Sequence, residues 1–176
     1  ARSMILVSEG GERTMNTYLG ACHQLTTADI KEDEIGAATI TYMEGYLWDP
    51  PEAKAAFLRA SDIAHEAGRL VALTLSDSFC VGRYREEFLD LIRSGKVDLV
   101  FANEHEAKAL YETADFDSAI SALRNDARSA VVTRSEKGGL FVTRAETVAV
   151  PAQPIDKVVD ATGAGDLYAA GVLAGF

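Results

Sequence analysis

A stretch near the end of the chain, Asp160-Ala161-Thr162-Gly163-Ala164-Gly165-Asp166, has the residue types and spacing to handle a phosphate. Gly163 and Gly165 flank a small residue where a loop turns into a helix. Side chains too small to shield the backbone leave successive N–H groups exposed at a helix N-terminus. With the helix dipole behind them, such donors form an anion hole for a phosphate or a transferring phosphoryl group. The spacing predicts that Asp166 faces that anion. A carboxylate beside an anion hole is electrostatically unfavourable unless it has a task there, such as accepting a hydroxyl proton. The structural alternative is a glycine turn followed by a first-turn aspartate that the dipole favours. The third glycine of GxGxxG is missing, so a dinucleotide fingerprint is not supported.

Two further segments carry polar groups at the ends of apolar runs. Asn103-Glu104-His105-Glu106 follows a predicted strand, and by themselves its residues read as caps on a solvated helix start. Val131-Val132-Thr133-Arg134-Ser135-Glu136-Lys137-Gly138-Gly139 reads as a buried strand followed by a glycine turn. His65-Glu66 and His105-Glu106 begin like HExxH but lack the second histidine, and no GxSxG or GxxxxGK[ST] motif occurs. These absences remove zincin, nucleophile-elbow and P-loop readings.

Taken together and in this order, the three segments resemble the PfkB, or ribokinase-like, carbohydrate kinases. The stretch 160–166 followed by an apolar helix is similar to the family's C-terminal signature, Asn103 to Glu106 to its N-x-x-E element, and residues 131–139 to its strand and nucleotide loop. Gly11-Glu12-Arg13-Thr14-Met15 and Glu44-Gly45-Tyr46-Leu47 resemble the adenosine-kinase-like branch. The resemblance implies roles residue by residue. Asp166 matches the catalytic base that deprotonates a primary hydroxyl for attack on the γ-phosphate of ATP. Gly163, Ala164 and Gly165 match the anion hole. Asn103 and Glu106 match the element that organises Mg2+ and phosphates, largely through water, which makes Glu106 the metal-side carboxylate. Thr133, Ser135 and Gly138 match nucleotide contacts, although Ser135 stands where the family usually has glycine. Arg13 matches a basic position near the lid that helps neutralise the transferring phosphoryl on the substrate side. Tyr46 and Trp48 are more simply packing aromatics than base-stacking ones, and His105 reads as a bystander.

The elements that must position these residues follow from apolar periodicity. Met4–Val7 and Arg13–Tyr18 predict a hairpin around a turn at Ser8–Glu12. Strands are expected at 38–42, 70–75, 97–101, 130–133, 139–143 and 147–150. Helices are expected at 29–35, 50–67, 84–92, 104–111 and 115–126, with a last apolar helix after the glycine-rich loop at 162–165. The alternation predicts an α/β fold, a doubly wound and mostly parallel sheet with helices on both faces. Residues 1–26 are expected to form part of a small β lid on the substrate side, and residues 27–176 an incomplete nucleotide-binding core. The chain opens almost in a strand and stops in a helix, so truncation at both ends is expected.

Composition limits the partners. The 176 residues hold 17 Lys and Arg against 27 Asp and Glu, a formal net charge of -10. That balance argues against nucleic-acid or acidic-membrane partners but not against a nucleotide held by local donors. Cys22 and Cys80 form no paired motif, so a reducing, cytoplasmic setting fits. The function expected from residues and resemblance is ATP- and Mg2+-dependent transfer of a phosphoryl group to a nucleoside or sugar hydroxyl, with adenosine the best substrate. The alternatives are a ribose- or fructose-type sugar kinase and a non-catalytic nucleotide-binding relative. Retention of Asp166 beside the glycines argues against the last, since a pure binder needs no base there. Both lid-mediated homodimers and monomers fit the resemblance.

Overall fold

The short runs of Val, Leu, Ile and Ala carry few charges, and the stretches between them place apolar residues on one helical face. Such a chain buries itself as a sheet under crossover helices. The computed structural model describes all 176 residues and has this form. Strands β1 (Arg2–Val7) and β2 (Arg13–Tyr18) pair antiparallel as a separate hairpin. The main sheet runs in the order β3 (Ile40–Glu44), β4 (Leu70–Thr74), β5 (Leu99–Asn103), β6 (Ser129–Thr133), β7 (Gly139–Thr143) and β8 (Thr147–Val150). The first four strands are parallel, and β7 and β8 are added antiparallel.

Because neighbouring parallel strands are consecutive in sequence, right-handed crossovers put their helices on one face. Helix α1 (Glu32–Ala37) precedes β3, and α2 (Pro51–Glu66), α3 (Ser78–Arg93), α4 (Glu104–Leu110) and α5 (Phe116–Asp126) make the crossovers. They bury the larger core, in which Phe57, Phe88, Leu110 and Leu123 pack against Leu73, Val100 and Val132. The opposite face shows the other half of the side-chain alternation, with Ala72, Leu99, Phe101 and Val131 under Ala169 of the last helix, α6 (Ala164–Leu173). Helices therefore lie on both faces, the crossovers on one and α6 on the other. No helix is long and apolar enough to cross a membrane.

Three local expectations shift. Strand β3 sits two residues later than the periodicity suggests, which places Glu44 at its carboxyl end. Helix α3 begins at Ser78, where the Asp77 carboxylate accepts the N–H of Cys80 at 2.8 Å. A kink at Tyr84 (φ −121°, ψ 24°) interrupts the helix there, and this break hides the first turns from a periodicity reading. Single helical turns at Gly20–Gln24, Thr27–Asp29 and Gly45–Trp48 replace loops.

Candidate active site

Register brings the separated motifs to one place. Asn103 ends β5, Thr133 ends β6, and the two are partners across the ladder. Thr133 in turn pairs with Gly139, the first residue of β7. At the other side of the sheet Glu44 and Thr74 pair at the ends of β3 and β4. A cleft of about 650 Å³ opens over this carboxyl edge, where loops and helix N-termini of open α/β sheets converge. Arg13, Asn103, Glu106, Thr133, Ser135, Gly138, Gly163, Ala164, Gly165 and Asp166 all line it.

Gly163, in the left-handed region (φ 75°, ψ 3°), is the N-cap of α6. The turn before it is closed by Ala164 N–H donating to Ala161 O at 3.2 Å and by Thr162 N–H donating to the Asp160 carboxylate at 2.8 Å. The hydrogen bonds from Thr162 hold the Asp160 carboxyl below its usual range. The N–H groups of Gly163, Gly165 and Asp166 donate to no group in the protein. Asp166 itself is exposed, and its carboxylate has no hydrogen-bond or ion-pair partner. The arrangement is a set of free donors next to a free carboxylate.

The hairpin reaches the same turn. Gly11 O accepts the Ala161 N–H at 3.2 Å, and Arg13 Nη1 donates to Ala161 O at 3.3 Å. Arg13 therefore stands over the loop that leads into α6.

Asn103 and Glu106 realise the capping alternative in full while also lining the cleft. Asn103 Oδ1 accepts the Glu106 N–H at 2.9 Å, and Glu106 Oε2 accepts the Asn103 N–H at 2.9 Å. Asn103 Nδ2 donates to the other Glu106 oxygen at 2.6 Å. Burial pushes the Glu106 carboxyl above its ordinary value, against the hydrogen bond from Asn103. Glu104 and His105, between them, do not take part. Glu104 pairs with Lys108 at 2.7 Å and Arg134 at 3.1 Å, and these partners bring its carboxyl down to about 2. His105 is exposed on the first turn of α4. No group of three or more His, Cys, Asp or Glu side chains is arranged to hold a metal.

Ser135 lies at φ 50°, backbone that favours glycine, which accounts for glycine being usual at that position. Gly138, at φ 87°, has no room for a side chain: a Cβ there would lie 2.0 Å from Val150 O. Trp48 is a packing residue, 3% exposed and edge-on to Phe57 at 5.5 Å.

Five further residues line the cleft: Tyr42, Thr74 and Ser76 carry no motif and were missed by sequence reasoning, while Glu44 and Tyr46 lie in the segment likened to the adenosine-kinase branch but were given no role in the site. The Tyr46 hydroxyl donates to the Glu44 carboxylate, and burial together with that carboxylate raises its pKa. Tyr46 N–H donates to Ser76 Oγ at 3.2 Å, fixing the start of the turn after β3. Their shared sequence signal is position, a polar residue at the carboxyl end of a parallel strand.

The fold, a mostly parallel α/β sheet with its cleft at the carboxyl edge and a glycine-capped helix facing it, matches ribokinase-like neighbours. The model of the pfkB family of carbohydrate kinases matches residues 1–176, and the chain belongs to that family. The adenosine kinase from Sinorhizobium meliloti superposes with a TM-score of 0.96 at 60% identity, over 99% of this chain and 53% of that one. The cytidine kinase of Thermococcus kodakarensis is 39% identical over 101 residues, 53% of this chain and 36% of the relative. The adenosine kinase of Saccharomyces cerevisiae is 26% identical over 181 residues, 94% of this chain and 52% of the relative. The chain thus spans about half the length of these relatives or less.

Proposed function

We infer that the chain carries the nucleotide side and the base of an ATP-dependent kinase that phosphorylates a primary hydroxyl of a nucleoside, with adenosine the preferred substrate. The observation that supports it most is the set of free N–H groups at Gly163, Gly165 and Asp166 beside the free Asp166 carboxylate in the shared cleft. The likeness to kinases of adenosine and cytidine supports a nucleoside substrate.

Asp166 takes the proton of the attacking hydroxyl as its oxygen bonds to the γ-phosphorus of ATP, and the bond from that phosphorus to the β,γ-bridging oxygen breaks to release ADP. The amides of Gly163 and Gly165 face the phosphoryl oxygens and need no reorganisation as charge shifts there. Arg13, on the hairpin that acts as a lid, adds a positive charge and keeps water from the transferring group. Thr133, Ser135 and Gly138 hold the nucleotide at the β6–β7 turn. Mg2+ supplies neutralisation of the phosphate charge. Glu106 would serve it in an outer role: both its oxygens accept hydrogen bonds from Asn103, so it would order metal-bound water rather than bind the ion directly.

Asp166→Asn in the full-length enzyme tests the reading. The change keeps shape and removes the proton acceptor, so turnover should fall about 100- to 10,000-fold with ATP affinity retained or slightly raised. Retention of more than about a tenth of wild-type turnover would remove Asp166 from the role of base.

A further inference from the structure

Helix α6 must hold its first turn over the cleft. Its one buried residue is Ala169, which rests on Ala72, Leu99, Phe101 and Val131, with partly buried Val172 and Leu173 packed beside it toward the far end of the helix. A methyl group on a smooth apolar face supplies contact without a stop. Along β7, α6 also makes two aromatic contacts. Phe176, just past the helix, lies edge-on to Phe141 with ring centroids 6.4 Å apart. Midway along α6 the phenol tip of Tyr168 lies against Gly139, buried at the start of β7. A Cβ on Gly139 would come 2.4 Å from the Tyr168 hydroxyl and 3.2 Å from Cζ. Gly139 has ordinary backbone angles, so its lack of a side chain serves this close approach and not a turn.

Gly139 is also the register partner of Thr133, and Tyr168 is two residues from Asp166. We propose that Tyr168 seated on Gly139 is the stop that sets the distance between the anion-hole turn of α6 and the nucleotide strand β6, and so aims Asp166 at the transferring phosphoryl group. Tyr168 is then a positioning residue, and Gly139 is the socket that admits it. The inference rests on the proposed kinase reaction for its activity readout, but the position of α6 can be measured without it.

The test uses the full-length enzyme with ATP, Mg2+ and adenosine, and four variants. Gly139→Ala pushes the ring outward by on the order of 1 Å to restore contact distance. A misplacement of that size should lower kcat about 10- to 100-fold. Tyr168→Phe removes the outermost atom of the stop and should cost about threefold by the same argument. In the double variant the 2.4 Å contact is gone and the added methyl meets the ring carbon Cζ at 3.2 Å and Val132 O at 3.4 Å, distances that a shift of a few tenths of an ångström relieves, so kcat should return toward that of Tyr168→Phe. Rescue separates positioning from a general need for glycine in β7, which would leave the double variant as poor as Gly139→Ala. Tyr168→Ala removes the stop without crowding β7 and covers the case in which Gly139→Ala does not fold; its kcat should fall about tenfold or more at unchanged helix content. Wild-type kcat in Gly139→Ala or Tyr168→Ala, or failure of the double variant to recover, overturns the inference. A wild-type enzyme that phosphorylates no nucleoside or sugar would fail the kinase reading instead. In that event a crystal structure of Gly139→Ala with α6 unmoved against β6 would still overturn the stop, and a displaced α6 would support it.

Discussion

The sheet has an aspartate at each edge, and the two are treated in opposite ways. Asp98, at the amino edge, is buried and fully partnered. Its carboxylate accepts Val71 N–H at 2.9 Å, His65 Nε2 at 2.9 Å and Arg128 Nη1 at 2.6 Å, while its own carbonyl accepts Ser129 Oγ at 2.7 Å. Asp166, at the carboxyl edge, is exposed and has no partner, beside amides that also have none. A satisfied buried carboxylate joins strands and helices, whereas an unsatisfied one next to free donors is available to a ligand. The residue type is the same; the hydrogen-bond inventory separates structure from candidate chemistry.

Substitution at the two edges should divide cleanly between turnover and stability. Asp166→Asn should show the largest effect, the loss of turnover argued above, with a melting temperature equal to or above that of the wild type. Glu106→Gln comes next and sits between the extremes, because Glu106 is buried like Asp98 yet lines the cleft like Asp166. Glutamine keeps the bond from Asn103 N–H but sets its NH2 against Asn103 Nδ2, and loss of the charge that orders metal-bound water should reduce Mg2+-dependent turnover about 10- to 100-fold. Burial raises the folded-state pKa of Glu106, so its ionisation weakens the fold as pH climbs above the unfolded value. At pH 7 relief of that penalty offsets the lost bond from Asn103 Nδ2, so the stability of the variant relative to wild type should fall as pH drops toward 4. A variant that loses stability at pH 7 and keeps turnover would assign Glu106 to capping alone.

Asp98→Asn should give the mirror result. One amide oxygen cannot serve three donors, and Arg128 is well exposed, so the cost is about 1–3 kcal/mol of stability with kcat unchanged. Burial alone would raise the Asp98 pKa, but the hydrogen bonds from Val71, His65 and Arg128 outweigh it and hold it below 3.8. A lowered pKa contributes stability that is present above the unfolded value and lost as pH falls through the folded one. The gap between wild type and variant, followed by urea unfolding, should be widest near neutral pH and close below about pH 4.

How much of this was readable before folding depends on whether a residue's task is local. The free amides at Gly163 and Gly165 follow from a glycine pair opening a helix, and Asn103 with Glu106 from spacing along one helical turn. Both are contained in a few consecutive residues. Asp98 was not singled out, because its three donors come from residues 71, 65 and 128, joined only by the sheet. Thr74 was missed for the same reason and Glu44, though its segment stood out, was given no role in the site, since parallel register pairs the two across 30 residues of helix and loop. The start of α3 was lost to a different cause: its kink at Tyr84 breaks the 3.6-residue period on which a helix is recognised.

Ser135→Gly should produce the smallest change and sharpens the comparison at the nucleotide turn. The residue lies at φ 50°, where a non-glycine side chain costs roughly 1–2 kcal/mol. Glycine removes that strain but adds freedom to the unfolded chain worth about 0.4–1 kcal/mol in the opposite direction. The strain is the larger quantity, so the net gain should lie between about 0 and 1.6 kcal/mol, a rise of a few degrees in the melting temperature. Turnover decides what the serine is for. If the hydroxyl only tolerates a glycine position, KM for ATP should stay at the wild-type value while stability rises. If it donates to a phosphate, as the proposed site requires, KM for ATP should rise about 3- to 10-fold, the value of one hydrogen bond of about 0.5–1.5 kcal/mol. An unchanged KM with raised stability would take Ser135 out of the nucleotide site and leave Thr133 and Gly138 to hold that turn.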